Sequence, residues 1–256
     1  MKKTILMTLV AAAAAELFAV QGTVICGSEE IKGEIKWQAR NKQYIIAYKK
    51  GKTEVNAERK LEDVTSLDIP EPAGFAKAVG QVENGQGTPA IPVLQKIVTE
   101  YRMLVWDKPA GRYLALAYLA SGNAQKAYEV CQPIISEDKS AAYTGDLAAA
   151  YWQALLKLGK NDQLEGLLKK AVANGDRAAS AAALVMRGDI ILHGANDNPA
   201  LLKQALTDGY LRVALMYRDQ ECRRECGEAM LKAAGVFEKL GQTGRAETLR
   251  GQAKAL

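Results

Sequence analysis

Apolar and polar residues alternate with a period of two in the first part of this chain. The segment IKGEIKWQ (31–38) places isoleucine, glycine or tryptophan at every second position, with charged or amide residues between them. Successive side chains of a strand point to opposite faces, so this pattern predicts a half-buried β-strand. Turn residues separate four more short apolar runs, which also predict strands. They lie at 24–26, 44–48, 53–55 and 64–69.

The pattern changes at Pro70 and Pro72, which mark a domain boundary. Beyond them the apolar residues recur at helical spacing, in paired runs separated by a glycine. The predicted turn glycines recur at intervals of 35, 37, 35 and 47 residues. They are Gly87, Gly122, Gly159, Gly194 and Gly241. One hairpin has too small an apolar face to bury alone, whereas stacked hairpins share a continuous core, so this recurrence predicts a helical array.

The predicted fold class is therefore α+β, predominantly α. A small antiparallel β-barrel or sheet over 20–69 precedes about five helical hairpins over 70–256. The fourth hairpin has a longer second helix, with Gly209 in its interior. Asn198 and Pro199 are a cap and a first-turn proline, and they predict where that helix begins.

The chain begins with MKKTILMTLVAAAAAELFAVQG, which has a positive start, about a dozen apolar residues and then small ones. This run is too short to span a bilayer, which takes about 20 residues. We interpret 1–19 as a bacterial signal peptide; cleavage after Ala15 or after Ala19 fits the small-residue pattern. The expected location is therefore the periplasm, the outer-membrane surface or the exterior, with no integral membrane segment in the mature chain.

The composition is typical of a soluble globular protein, with 48% hydrophobic and 25% charged residues in 256. A net charge of +5 is too mild to indicate a nucleic-acid partner. Two basic clusters could contact an anionic partner, although turns and helix surfaces are often charged. One cluster is Lys49, Lys50 and Lys52 on a predicted turn, and the other is Arg218, Arg223 and Arg224 near a helix start.

Few residues indicate catalysis. The chain has one histidine, His193, at a predicted helix end, and it lacks a phosphate-binding glycine loop. We predict no catalytic residue, no metal site and no cofactor. Cys222 and Cys226 are four residues apart, a spacing at which a regular helix has poor disulfide geometry. They are either free thiols or a strained local disulfide.

The β segment resembles the small SH3-like or Sm-like barrels of exported bacterial proteins. The resemblance lies in a short strand, a Gly-Ser turn, the sequence IKGEI, a Lys-Gly-Lys turn and the motif Asp-Val-x-x-Leu (63–67). Barrels of this kind bind many classes of ligand, so the resemblance implies an architecture and not a function.

The helical part resembles the tetratricopeptide repeat (TPR). Tyr118, Gly122 and Ala127 match the family's first-helix tyrosine, turn glycine and second-helix alanine. Other matching positions are Ala171 in the next unit and Phe237, Ala246 and Ala253 in the last. A general α-α solenoid is the near alternative.

The resemblance also implies a binding site. In TPR proteins the first helix of each hairpin lines a concave groove that holds a peptide or a partner helix. The register of the turn glycines places four residues toward that groove: Arg112, Gln153, Lys157 and Lys239. Our main hypothesis is an exported, non-enzymatic scaffold of the cell envelope that binds a peptide or partner subunit. The sequence leaves homo-oligomerisation open.

Two other functions compete with this hypothesis. An accessory factor or enzyme acting on envelope glycan would need a pocket between the β domain and the first hairpins, around Trp37, Tyr44 and Trp106. Packing in the core is the ordinary role of such aromatic residues. RNA binding through an Sm-like barrel is a third hypothesis, and it conflicts with export.

Overall fold

This computed structural model describes residues 19–174 and 176–256. The predicted signal peptide therefore lies outside the described residues, apart from Ala19. Within these ranges, none of the helices combines the length and the apolar character that crossing a bilayer requires. The described residues form two compact units, one that ends at Pro70 and one that begins at Glu71.

The first unit is a five-stranded antiparallel sheet with the strand order β4-β3-β2-β1-β5. Its strands are β1 (Val20–Cys26), β2 (Glu29–Gln38), β3 (Gln43–Lys50), β4 (Thr53–Lys60) and β5 (Ser66–Asp68). A 3-10 turn at Leu61–Asp63 leads from β4 to β5. The last strand, β5, pairs with the first, β1, with Val24 opposite Leu67. The strand β5 therefore forms the edge of the sheet next to β1.

The predicted alternation sets the inner face of this sheet. Ile35 of β2 lies opposite Ile46 of β3, and both are fully buried. Trp37 and Tyr44 form the next inward pair, with ring centroids 4.9 Å apart. Gly33 of β2 allows a close approach of β3, because a Cβ atom there would lie 2.3 Å from the carbonyl oxygen of Ala47.

The second unit is helical. Its α-helices are α1 (Phe75–Glu83), α2 (Gly87–Glu100), α3 (Asp107–Ala120), α4 (Ala124–Glu137), α5 (Gly145–Lys157), α6 (Asn161–Ala173), α7 (Arg177–His193), α8 (Pro199–Ala205), α9 (Leu211–Met216), α10 (Arg223–Lys239) and α11 (Thr243–Lys254). A π-helical turn, Leu206–Tyr210, joins α8 to α9. Consecutive helices form five hairpins, with α8 and α9 together as the second helix of the fourth. The predicted fold class, a small antiparallel sheet before about five helical hairpins, is confirmed.

The hairpins stack in chain order. The first helices lie side by side, α3 against α5, α5 against α7 and α7 against α10. Each second helix packs against the next hairpin, as α2 does against α3 and α6 against α7. Apolar residues from Phe75 to Met186 form one continuous cluster through the first three hairpins and into the fourth. This shared burial is the physical reason for the array, because no hairpin could bury its apolar face alone.

Three of the predicted turn glycines are confirmed. Gly122, Gly159 and Gly241 end the first helices of their hairpins with φ of 74°, 67° and 72°. These left-handed values favour glycine, which has no Cβ atom to clash with the backbone.

Of the other two predicted turn glycines, Gly194 lies in a turn but without a left-handed conformation, and Gly87 is wrong. Gly85, with φ of 75°, makes the first turn, whereas Gly87 already belongs to α2. Gly87 serves packing instead, because a Cβ atom there would lie 3.0 Å from Cα of Ala117. At the fourth hairpin Gly194 has φ of −88°. Asn196 and Asp197 adopt the left-handed conformation there.

The fourth hairpin contains a close contact between two glycines. The predicted start of its second helix is confirmed, since the Asn198 side chain accepts a hydrogen bond from the backbone N–H of Ala200 and Pro199 is the first residue. Gly209 lies in the π-helical turn, against Gly188 of α7. A Cβ atom on Gly209 would lie 2.6 Å from Cα of Gly188, so the two backbones touch at this point.

Candidate functional site

The first helices of the second, third and fourth hairpins line an open groove of about 670 Å³, with one residue from the fifth. We call it the inner groove. Its lining residues are Leu116, Leu119 and Ala120 of α3; Gln153, Leu156 and Lys157 of α5; Met186, Asp189, Leu192 and His193 of α7; and Lys232 of α10.

Helical spacing explains why these residues meet. On α3, α5 and α7 the first lining residue is followed by another three residues later, and on α3 and α5 by a further one four residues later; residues at these spacings share a face. The neighbouring positions Leu114, Leu155 and Leu184 belong to the opposite faces and are fully buried in the core. The helices α3, α5 and α7 therefore each have two apolar faces, one for packing against other helices and one that faces the inner groove.

Asp189 and Lys232 form the polar end of the inner groove. Asp189 accepts hydrogen bonds from Lys232 Nζ at 2.6 Å and from the Tyr210 hydroxyl at 2.7 Å. Lys232 also pairs with Glu228 at 2.9 Å. Burial alone would lower the pKa of Lys232, but Glu228 and Asp189 outweigh it and raise that pKa. The charges of Asp189 and Lys232 are therefore both paired with partners within the protein.

Gln153 and Lys157 contribute the other polar groups from α5. Lys157 is exposed and Gln153 is half-buried. Neither has a hydrogen-bond or ion-pair partner among the residues that the structure describes. Both side chains are therefore available to a molecule in the inner groove.

A smaller cavity, of about 240 Å³, lies at the starts of α5, α7 and α10. Alanines and Trp152 form most of its wall, and Asp176, Arg224 and Glu225 supply the polar atoms. Asp176 accepts a hydrogen bond from the backbone N–H of Ala179 and so caps α7. Glu225 is 4% exposed and pairs with Arg224 at 2.6 Å. Asp176 therefore caps a helix, and Glu225 is paired with the residue before it.

The four residues predicted to face a groove do not all line the same groove. Gln153 and Lys157 line the inner groove. Arg112 and Lys239 are not among the lining residues. The Arg112 guanidinium lies 4.9 Å from the centre of the Tyr113 ring, and Lys239 pairs with Asp197 at 2.8 Å.

The two basic clusters differ in how many of their side chains already have a partner within the protein. Lys49, Lys50 and Lys52 are exposed around the turn between β3 and β4. In the second cluster, Arg218 donates from Nε to the carbonyl oxygen of Ala214 at 2.8 Å, and Arg224 is bound to Glu225. Arg223 is exposed.

All the cysteines of the described ranges are free thiols. Cys222 and Cys226 are buried, and burial raises the pKa of Cys222 to about 12 and also raises that of Cys226. A thiol must lose its proton to act as a nucleophile or metal ligand, so these groups behave as packing residues. Across the described residues, no three His, Cys, Asp or Glu side chains converge to hold a metal ion.

The aromatic residues of the glycan hypothesis are packing residues. Trp37 and Tyr44 lie in the core of the β unit. Trp106 belongs to the helical unit, where its ring meets Phe75 edge-on at 5.2 Å between centroids.

Sequence reasoning missed the apolar residues of the inner groove. Leu116, Leu119, Leu156 and Leu192 are half-buried there, and Met186 is nearly covered. Their signal was present in the sequence, because α3, α5 and α7 carry more apolar residues than one packing face needs. Such an excess indicates a second apolar face.

No protein-family model matches the chain, and no curated protein matches it. Solved structures do show similarity. Two are crystal structures of a Podosopora anserina protein described as a kinesin light chain with nearly identical TPR-like repeats, one of them a variant in which methionine replaces a glutamine. Both are 17% identical and cover 72% of this chain and 92% of theirs, with TM-scores of 0.43 for the variant and 0.42 for the other. A third is BtubC (BKLC) from P. vanneervenii, 16% identical, covering 72% and 88%, with a TM-score of 0.39.

Proposed function

We propose that this protein is a non-enzymatic scaffold that holds a peptide, or a segment of a partner protein, in the inner groove. The observation that carries the proposal is the second apolar face of α3, α5 and α7, which lines an open groove around Gln153 and Lys157 and is half-buried apart from Met186. Burying such a face against a partner gains about 25 cal/mol for each Å² of apolar surface. The free amide and ammonium groups can then orient the bound segment through hydrogen bonds.

A binding role fits the polar groups better than catalysis does. Asp189 is already engaged by Lys232 and Tyr210, so its carboxylate is not free to act as a base. The single histidine, His193, ends α7 and has no described carboxylate to orient it. These features favour a docking surface over a site for general acid–base chemistry.

Export and the nature of the β unit are further parts of this proposal. The N-terminal sequence supports export to the cell envelope of a bacterium. The pairing of β5 with β1, and the 3-10 turn before β5, support an SH3-like barrel for the first unit. Sequencing the N-terminus of the mature protein from a periplasmic fraction tests export. A chain that starts at Glu16 or Val20 supports it, and an uncleaved chain in the cytosol contradicts it.

Filling the inner groove tests the docking function. A phage-displayed library of random dodecapeptides, selected on the full chain, should yield peptides that bind it. Ala120 is exposed and lines the groove, so Ala120→Trp should obstruct the site without disturbing the core. We expect Ala120→Trp to weaken binding of the selected peptides by about tenfold or more, as measured by fluorescence anisotropy.

The matched control is Ala173→Trp, which adds the same side chain to an exposed position at the end of α6. This variant should bind the peptides as the original chain does. Failure to enrich any peptide, or equal binding by the Ala120→Trp variant, would contradict the proposed function.

A further inference from the structure

We propose that the end of α9 is a membrane-contact site, where Leu215 and Met216 insert into the interface of a bilayer that carries anionic lipid headgroups. The lining of the inner groove comes from α3, α5, α7 and α10. The site on α9 is therefore separate from that groove, and this inference does not depend on the docking function.

The apolar pair at the end of α9 carries the first part of the argument. Leu215 and Met216 are the most exposed large apolar side chains of the described residues, at 67% and 65%. The preceding Val213 and Ala214 are buried, so α9 packs against its neighbours without the pair. Full burial of either side chain would gain about 1.5–3 kcal/mol. Two adjacent side chains of this exposure favour a contact outside the chain.

Three exposed arginines around the pair carry the second part. Arg212 lies one turn earlier on α9, on the face that bears the pair. Arg218 donates from Nε to the carbonyl oxygen of Ala214 at 2.8 Å and from Nη2 to the amide oxygen of Gln252 at 3.3 Å, and both acceptors are uncharged. Arg223 is the first residue of α10. These three arginines have no carboxylate partner among the described residues.

The acidic groups after α9 leave this positive charge in place. Asp219 is paired with Arg177 at 2.6 Å, and Glu225 is paired with Arg224 at 2.6 Å. Glu221 is exposed and is the remaining carboxylate of this stretch. Three unpaired cations therefore stand against one unpaired anion. Each basic residue held near an anionic bilayer gains about 1 kcal/mol.

The size of the site favours a bilayer over a protein partner. Two side chains at a helix end offer far less than the roughly 800 Å² that each partner buries in a stable protein interface. A bilayer interface requires only shallow insertion of apolar side chains, with basic residues at the level of the headgroups. Tyr217 follows the pair, is half-buried, and has the Arg177 guanidinium 4.9 Å from its ring centre. Tyrosine is typical of the boundary between apolar and polar regions of a membrane.

Co-sedimentation with lipid vesicles tests the inference. The chain used begins at Val20, which keeps every described strand and helix and omits the apolar run of 1–19. It should bind vesicles in which about a third of the lipid is phosphatidylglycerol about tenfold more strongly than vesicles of phosphatidylcholine alone. Replacing the pair, Leu215→Ser with Met216→Ser, should weaken this binding about tenfold, and so should Arg212→Glu. Circular dichroism checks that each variant keeps its helices.

Two matched controls keep the site distinct from general stickiness and net charge. Leu231→Ser removes a leucine that is 53% exposed on α10, away from the three arginines. Lys50→Glu makes the same charge change as Arg212→Glu, in the basic cluster between β3 and β4. Both variants should bind vesicles as the original chain does. In addition, the emission of Met216→Trp should shift to shorter wavelength with the phosphatidylglycerol vesicles and not with the others.

Several results would overturn the inference. They are no binding to phosphatidylglycerol vesicles, equal binding to both kinds of vesicle, and binding that the two serine substitutions leave unchanged. An equal loss in Lys50→Glu would also overturn it, because binding would then follow net charge. If the chain forms dimers that the serine substitutions dissociate, and binds no vesicles, the pair contacts a second copy of the chain and the inference fails.

Discussion

Replacing Gly209 with alanine is expected to lower the free energy of unfolding of the helical unit by about 3 kcal/mol. The added Cβ atom would lie 2.6 Å from Cα and 2.8 Å from N of Gly188, and 3.0 Å from the carbonyl oxygen of Leu184. These are backbone atoms that cannot rotate away, so α7 and the π-helical turn must move apart. Urea unfolding followed by circular dichroism at the helical minimum measures the loss.

The control for this substitution is Gly235→Ala. Gly235 lies within α10, and a Cβ atom there would meet nothing within 4 Å. Alanine has the higher helix propensity, so this variant should gain about 0.5–1 kcal/mol. A Gly209→Ala variant as stable as the original chain would show that the two helices do not approach each other as described.

Truncating Trp152 to alanine should cost about 4 kcal/mol of unfolding free energy, the largest loss that we expect from a single side chain. Trp152 is fully buried in α5, the first helix of the central hairpin, and its Nε1 donates to the carbonyl oxygen of Ala142 at 2.9 Å. Removing the indole leaves a cavity and also an unpaired carbonyl group. Thermal and urea unfolding of the full chain measure the change.

Trp152→Phe separates these two contributions. Phenylalanine keeps most of the buried surface but cannot donate the hydrogen bond, so a loss of about 1–2 kcal/mol is expected. A loss of unfolding free energy below about 1 kcal/mol for Trp152→Ala would contradict this account. It would show that the side chain does not join the central hairpin to its neighbours.

Local patterns in the sequence predicted the elements well, because each element has its own period. The alternation in 31–38 correctly predicted β2. In this strand Ile31, Ile35 and Trp37 are buried, and none of the even-numbered positions is buried. Gly122, Gly159 and Gly241 marked real turns, because a left-handed residue ends each of those helices.

Contacts between distant parts of the chain were beyond such reasoning. Gly87 and Gly209 are glycines because Ala117 and Gly188 approach them closely, and neither approach follows from local spacing. At the fourth turn, asparagine and aspartate tolerate the left-handed conformation, so glycine was not needed there. A glycine read from sequence alone does not reveal whether it serves a turn or a close contact.

The inner groove shows the same division. Helical register was enough to direct Gln153 and Lys157 to the face that lines it. The same register did not reveal that Asp197 lies within 2.8 Å of Lys239, or that Arg112 lies over a neighbouring ring. Pairing partners decide which side chains stay free, and they come from other parts of the chain.

Hydrogen exchange with and without the tightest-binding selected dodecapeptide tests the docking function most directly. We predict slower exchange of backbone amides in 150–157 and 186–193, the parts of α5 and α7 that face the inner groove. Amides of the β unit and of α6 should exchange at unchanged rates. Slowing confined to the β unit or to the second helices, with α5 and α7 unaffected, would contradict the account.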